Sequence, residues 1–223
     1  MMDREDRWNA VDRYFGERLL GHDPVLEAVV EASRAGGLPD IAVAPNQGML
    51  LNLLARAVGA RRILEVGTLG GYSTICLARA LPKGGKLITL EMVKRHFDVA
   101  KANFVRAGLS DVIEQRLGRG VDLLAELADE KPEPFDLTFI DADKPSNTDY
   151  FDWALKHSRT GSLIIVDNVV RDGDVADAKS RDASVIGVHR LVDRIAGEKR
   201  ILSTAIQTVG VKGYDGFLVS VVL

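Results

Sequence analysis

Residues 63–74 read Ile63-Leu64-Glu65-Val66-Gly67-Thr68-Leu69-Gly70-Gly71-Tyr72-Ser73-Thr74. A short apolar β-rich run leads into a glycine-rich turn, and a helix to about Leu81 follows, stopped by Pro82. Glycines let a ligand approach the backbone closely, and the helix N-terminus offers free N–H groups to an anion. The glycines are spaced GxxGG, so this is not the GxGxxG dinucleotide fingerprint. No Lys-Ser/Thr pair follows, so it is not a P-loop either. The ligand need not carry phosphates.

Downstream the alternation of strand and helix repeats. Lys86 to Leu90 is a strand. Val93, Phe97, Ala100, Phe104 and Ala107 then make one helix stripe ending at Gly108. A strand near Val112 to Arg116, a helix around Asp122 to Ala128 and a strand from Asp136 to Ile140 come next. A helix from Asn147 to His157, a strand from Ser162 to Val166 and a helix from Asp182 to Ala196 follow. Two last apolar stretches, Ile201 to Val209 and Phe217 to Val222, have no helix between them, so one is expected to run antiparallel. The predicted class is α/β: a Rossmann-like, doubly wound, mostly parallel seven-stranded sheet with helices on both faces and an antiparallel strand near the C-terminus. Before residue 60 the pattern is helical. One helix spans Asp23 to Ala35 and ends at Gly36-Gly37. Asn46, after Pro45, is placed to cap the next, whose apolar face is Leu50, Leu53, Leu54, Ala57 and Val58 and which ends at Gly59. The chain reads as one domain, 1–223, with a helical segment at 1–60 and an α/β core at 61–223.

The 223 residues suit one domain with a sizeable core. A net charge of −3 points to neither nucleic acid nor an anionic membrane. A single cysteine, Cys76, excludes an internal disulfide and fits a reducing compartment. The N-terminus, Met1 to Arg7, is polar, without the apolar stretch of a signal peptide, and no run is long enough to span a bilayer. A cytoplasmic location is expected. His22, His96, His157 and His189 are scattered, without zinc-ligand spacing.

Two buried-type strands end in carboxylates. One runs Asp136-Leu137-Thr138-Phe139-Ile140-Asp141-Ala142-Asp143-Lys144; the other runs Ser162-Leu163-Ile164-Ile165-Val166-Asp167-Asn168. Ligands of open α/β sheets bind beyond such carboxyl ends. Two Asp side chains crowded there repel unless a cation sits between them. With Asn168 alongside, the expected guest is a hard, oxygen-loving metal. On the turn, Glu65 can bind an amino group, while Ser73 and the turn amides can bind a carboxylate. Glu91, closing the second strand, is placed for ribose hydroxyls. An amine, a carboxylate and a ribose together describe S-adenosylmethionine (SAM) better than a nucleotide. A glycine turn by itself would make only a tight strand–helix connection; the two acids are what add the ligand.

Together, Ile63 to Ser73, Glu91, Ile140 to Lys144, Asp167-Asn168 and Gly213-Tyr214-Asp215-Gly216-Phe217 resemble the cation-dependent class I O-methyltransferases. That group includes the catechol and caffeoyl-CoA O-methyltransferases. The resemblance runs from about Ile41 to the C-terminus. It implies that Asp141, Asp167 and Asn168 hold a divalent cation, Mg²⁺ first, with Ca²⁺ or Mn²⁺ as alternatives. It implies that Lys144 assists deprotonation of the acceptor hydroxyl. Glu65, Gly67, Thr68, Ser73, Glu91 and Asp143 match SAM-binding positions. Val43 matches a residue at the methionine end, and Gly120 a small residue at the adenine. Asp172 falls where some relatives make a polar substrate contact. The implied reaction is O-methylation of a small vicinal-dihydroxy aromatic, the helical segment 1–60 contributing to the acceptor pocket of a homodimer. The stretch from Val170 to Val185 matches no particular subfamily. A non-catalytic SAM-binding protein and an NAD-type oxidoreductase are the alternatives. Intact Asp141, Lys144, Asp167 and Asn168 weigh against the first, and the missing GxGxxG against the second. Cys76 is expected as a small buried side chain, and Asp174 and Asp177 in a solvated loop. Tyr150 and Trp153 are expected to flank adenine or pack the core; Trp8 and Tyr14 are expected to cap the pocket or pack an interface.

Overall fold

The computed structural model describes residues 3–223; Met1 and Met2 of the polar N-terminal stretch lie outside them. Seven strands form one sheet in the order β3-β2-β1-β4-β5-β7-β6. They are β1 (Arg62–Val66), β2 (Lys86–Glu91), β3 (Ile113–Leu117), β4 (Phe135–Ile140), β5 (Ser158–Asp167), β6 (Ile201–Gly210) and β7 (Gly213–Val222). The first five pair with one another in parallel. β7 runs antiparallel to both β5 and β6, which is the reversal expected from the missing helix.

Among the described residues eight α-helices accompany the sheet: α1 (Arg4–Phe15), α2 (Pro24–Ala35), α3 (Pro45–Ala57), α4 (Tyr72–Ala78), α5 (Lys94–Arg106), α6 (Gly120–Asp129), α7 (Asn147–Lys156) and α8 (Ala183–Ala196). Side chains alternate across a strand, so the central strands β1 and β4 feed two cores. Leu64, Val66 and Ile140 pack with Leu127, Phe151 and Leu191 of α6, α7 and α8. Ile63, Leu137 and Phe139 pack on the opposite face with Leu51, Ile75 and Phe104 of α3, α4 and α5. Each fully buried large side chain contributes about 1.5–3 kcal/mol of transfer free energy. Both helical layers are thereby pinned to the central strands, and the sheet's carboxyl edge is held rigid between them.

Three local expectations are corrected. Asn46 does not cap α3: the cap position is Ala44, Pro45 fills the first turn, and the Asn46 amide donates to Asp12 Oδ1 at 3.0 Å. Pro45 supplies the fixed φ that a helix start favours, which displaces the cap by two residues. α4 ends at Ala78, not Leu81, because the next amides tighten into bonds from Ala80 to Leu77 and from Leu81 to Ala78. β5 begins at Ser158, four residues early, through an irregularity opposite Phe135–Leu137. A single π-helical turn at Gly16–Leu20 was not signalled by the sequence. Among the described residues no helix is long and apolar enough to cross a membrane.

Candidate active site

The register places four residues in one row. Val66 pairs with Leu90 on one side and Ile140 on the other, and Ile140 pairs with Val166. The next residue on each strand is Gly67, Glu91, Asp141 or Asp167, all at the carboxyl edge. They open on one cavity of about 930 Å³. Its wall also carries Val43, Thr68, Ser73, Gly120, Asp143, Lys144 and Asn168. All eleven of the proposed site residues other than Glu65 are on this wall.

Gly67 makes that convergence possible. It sits at φ +100°, and a Cβ there would lie 2.0 Å from the Asp141 carbonyl oxygen. The turn after β1 therefore touches the loop after β4, backbone to backbone. Gly120 opens α6 where a Cβ would lie 2.9 Å from the Tyr150 ring. Tyr150 donates to Asp143 Oδ1 at 2.6 Å, and Ser146 Oγ donates to Asp143 Oδ2 at 2.5 Å. Burial, then the Asp143 carboxylate, pushes the Tyr150 hydroxyl above its ordinary pKa, so it stays a donor. Tyr150 is thus on the cavity wall, whereas Trp153 stacks on His157 at 3.8 Å between centroids, away from it.

Glu91 accepts from the amides of Leu69 and Val93 at 2.8 Å and of Thr68 at 3.2 Å. It ties the glycine turn to the end of β2 while remaining on the wall. Glu65 is placed differently. It is fully buried, behind the wall, and accepts from Ser73 Oγ at 2.6 Å, Thr89 Oγ1 at 2.7 Å and Thr74 Oγ1. Its contact with the cavity runs through Ser73. Burial above all raises the Glu65 carboxyl to about 7, against the pull of those hydroxyls.

Asp167 is 4% exposed. Burial and the neighbouring Asp141 charge push its carboxyl up to about 7. Lys144, itself buried, places Nζ 3.0 Å from Asp141 Oδ1. Asn168 follows Asp167 in a left-handed conformation, φ +54°, and its amide N–H donates to Asp167 Oδ1 at 2.8 Å. Such strain in a non-glycine residue persists where surrounding structure enforces it. Two carboxylates and a carboxamide are an all-oxygen set suited to a hard divalent cation, and a cation there would relieve the repulsion that raises Asp167. No group of three or more His, Cys, Asp and Glu is clustered for a metal among the described residues. The set depends instead on the amide oxygen of Asn168.

Several wall residues escaped the sequence reading. Gln47 Nε2 donates to Asp167 Oδ2 at 2.7 Å across 120 positions of chain. Lys212, in the β6–β7 turn, pairs with Asp40 Oδ1 at 2.8 Å, and both residues are on the wall. Arg171 lies there too. Its loop is held by Asp215 Oδ1, which accepts from the amides of Val170 and Arg171 at 3.0 Å each; this gives the Asp of the Gly213–Phe217 motif its task. Asp172, expected as a substrate contact, is exposed and off the wall, as are Asp174 and Asp177. Tyr14 is exposed on α1, and neither it nor Trp8 reaches the wall. Cys76 is buried, with its thiol pushed up to about 12 by burial.

A family model described as O-methyltransferase matches residues 19–218. The chain is 46% identical to the catechol O-methyltransferase of Niastella koreensis over 215 residues, covering 96% of this chain and 97% of that one. It superposes with a TM-score of 0.96 on the Bacillus cereus O-methyltransferase in complex with SAH, at 51% identity, covering 98% and 99% of the two chains. The same TM-score relates it to the O-methyltransferase TomG of Streptomyces achromogenes in complex with SAM, at 48% identity and 99% coverage of both.

Proposed function

The chain belongs to the O-methyltransferase family, and from that membership we propose that it moves the methyl group of SAM onto one hydroxyl of a vicinal-dihydroxy aromatic, with a divalent cation held by Asp141, Asp167 and Asn168. The observation that carries this reading is the single row of Glu91, Gly67, Asp141 and Asp167 opening on one cavity. Methyl transfer is an in-line displacement, so its rate depends on holding donor and acceptor in near-attack geometry. Val43, Gly67, Thr68 and Ser73 are assigned to the methionine end of the donor, Glu91 to the ribose, and Gly120 with Asp143 to the adenine side. Glu65 is assigned a supporting part, fixing Ser73. A phenol with a pKa of about 10 is a poor nucleophile at neutral pH. A divalent cation, Mg²⁺ foremost, would supply charge that lowers that pKa and orients adjacent hydroxyls. Lys144 Nζ, buried beside Asp141, is assigned to take the acceptor's proton from its neutral amine form, which a cation bound at Asp141 and the donor sulfonium would favour. The same reading includes one methyltransferase domain over 1–223, to whose acceptor side the helical segment 1–60 lends Ile41 and Gln47. It also includes a cytoplasmic homodimer, supported by the lone cysteine and by apolar side chains exposed on β6, Leu202 and Ile206 among them.

The test is turnover of catechol with SAM, with Mg²⁺ and with excess chelator. A monomethyl ether is expected with Mg²⁺, its formation lost in chelator and restored by added metal. Full turnover in chelator would remove the cation from the reading; binding of SAM without methylation of any vicinal diol would remove the reaction.

A further inference from the structure

The sheet order sets donor and acceptor on opposite sides of the cation carboxylates. Glu91 and the glycine turn stand over β2 and β1, and Asp141 and Asp167 over β4 and β5. The acceptor must therefore approach from the β5 flank. The loop leaving β5 is that flank, and its side chain on the cavity wall past Asn168 is Arg171. Three wall cations other than Lys144 can be compared. Lys212 is neutralised by Asp40 at 2.8 Å, and Arg119 is 3.8 Å from Asp122. Arg171 has no carboxylate within 4 Å among the described residues, and its Nε is buried without a hydrogen-bond partner. Its charge helps to hold the carboxyl of Asp182, exposed at the start of α8, below the usual range, after the backbone amides of Val185 and Ser184.

The loop is also built to hold Arg171 in place. Arg171 and Asp172 both take left-handed backbone conformations, each at φ +56°. Asp215 fixes the Arg171 amide, and that of Val170, at 3.0 Å. An unpaired, partly desolvated guanidinium held by strained backbone on a ligand cavity is a recognition element for an anion, because Arg binds planar carboxylates through its forked donors. Burying Nε without a partner is otherwise a net cost.

We propose that Arg171 is a specificity-determining residue that selects acceptors carrying a carboxylate on the side chain opposite the two hydroxyls. This rests on the O-methyltransferase reading above and names its substrate class: anionic catechols rather than neutral ones. Ser184, also on the wall at the first turn of α8, is available as a second, neutral donor to the same carboxylate.

The experiment compares three acceptors: catechol, 3,4-dihydroxycinnamate and its methyl ester, with SAM and Mg²⁺. The free acid is expected to have a kcat/KM about tenfold above its ester, mostly through KM, as a charge-assisted hydrogen bond gives. Raising the salt should erode that ratio. Arg171→Asn should bring the ratio close to one, and Arg171→Lys should retain part of it. Asn tolerates left-handed φ, so Arg171→Asn relieves the strain at φ +56° and is expected to fold. An acid-to-ester ratio near one in the unmodified protein overturns the proposal, as does a ratio that Arg171→Asn leaves intact. If no acceptor is methylated, catechol included, the reaction itself has been misassigned, an outcome distinct from loss of the preference alone.

Discussion

Replacing Glu65 by Gln should change how stability depends on pH, by an amount that follows from burial. Glu65 has no solvent exposure, and its carboxyl titrates near 7 in the folded chain against an ordinary value of 4.5. Between those two values the folded state keeps a proton that the unfolded state has released. The unfolded state therefore binds fewer protons there, and stability falls as pH rises through the window, levelling off above about 7. At about 1.4 kcal/mol per unit of difference, the whole window is worth roughly 3 kcal/mol, of which roughly 2–3 kcal/mol lies between pH 5 and pH 8. Gln does not titrate, so Glu65→Gln loses this slope. Its constant offset depends on how the amide packs among Ser73, Thr74 and Thr89; the slope of the difference does not. Asp167 also titrates near 7, but it is present in both proteins and largely cancels in the difference. Urea unfolding of both proteins in chelator at pH 5, 6, 7 and 8 measures it. The variant should gain on the parent by roughly 2–3 kcal/mol across the series, which is about 1 M in midpoint. A gap that stays constant with pH would show that Glu65 ionises freely in the fold, contradicting its burial.

Gly67→Ala should do damage beyond its one methyl group, since the Cβ would enter the Asp141 carbonyl at a positive φ. A loss of more than about 2 kcal/mol is expected, with catechol turnover falling at least tenfold; thermal melting and initial rates check both. Asp215→Ala removes the acceptor shared by the Val170 and Arg171 amides. It should cost about 1–3 kcal/mol and raise the acceptor KM more than the SAM dissociation constant, measured by titration calorimetry. Equal loss at both ligands would place the effect in the whole sheet edge and not in the loop after β5.

The site row was legible because a strand's last residue is visible as the end of an apolar run. Asp141, Asp167 and Glu91 each close or follow such a run, and parallel register does the rest. Glu65 shows where this logic stops. It is the penultimate residue of β1, so its side chain points to a sheet face, not beyond the edge; that face is covered by the hydroxyls of α4. The alternation that put Leu64 and Val66 in one core put Glu65 under the other. Gln47 was invisible for another reason: its partner is 120 residues away, and no local period encodes that contact. Arg171 sits in the one stretch that resembled no subfamily, where irregular backbone carries no periodicity to read. The Asn46 error was one of priority between two valid rules, since a proline at a helix start outweighs a polar residue that follows it.

The position of β7 has a kinetic consequence. It is made after β6 yet lies between β6 and β5, joined to β6 by a tight connection at Val211-Lys212. The two strands can zip together locally and early, as hairpins do within microseconds. Docking that hairpin on β5 is a separate, long-range step that pays loop-closure entropy. Until it happens β5 is a raw edge, with Asp167 at its end lacking its register partner Phe217. A nascent or refolding chain should therefore pass through a species in which the donor half, β1 to β3, is protected from hydrogen exchange while the end of β5 is not. The glycine turn and the end of β2 would then be in place before the Asp167 end of β5, and the last protons to become protected would be those flanking Asp167.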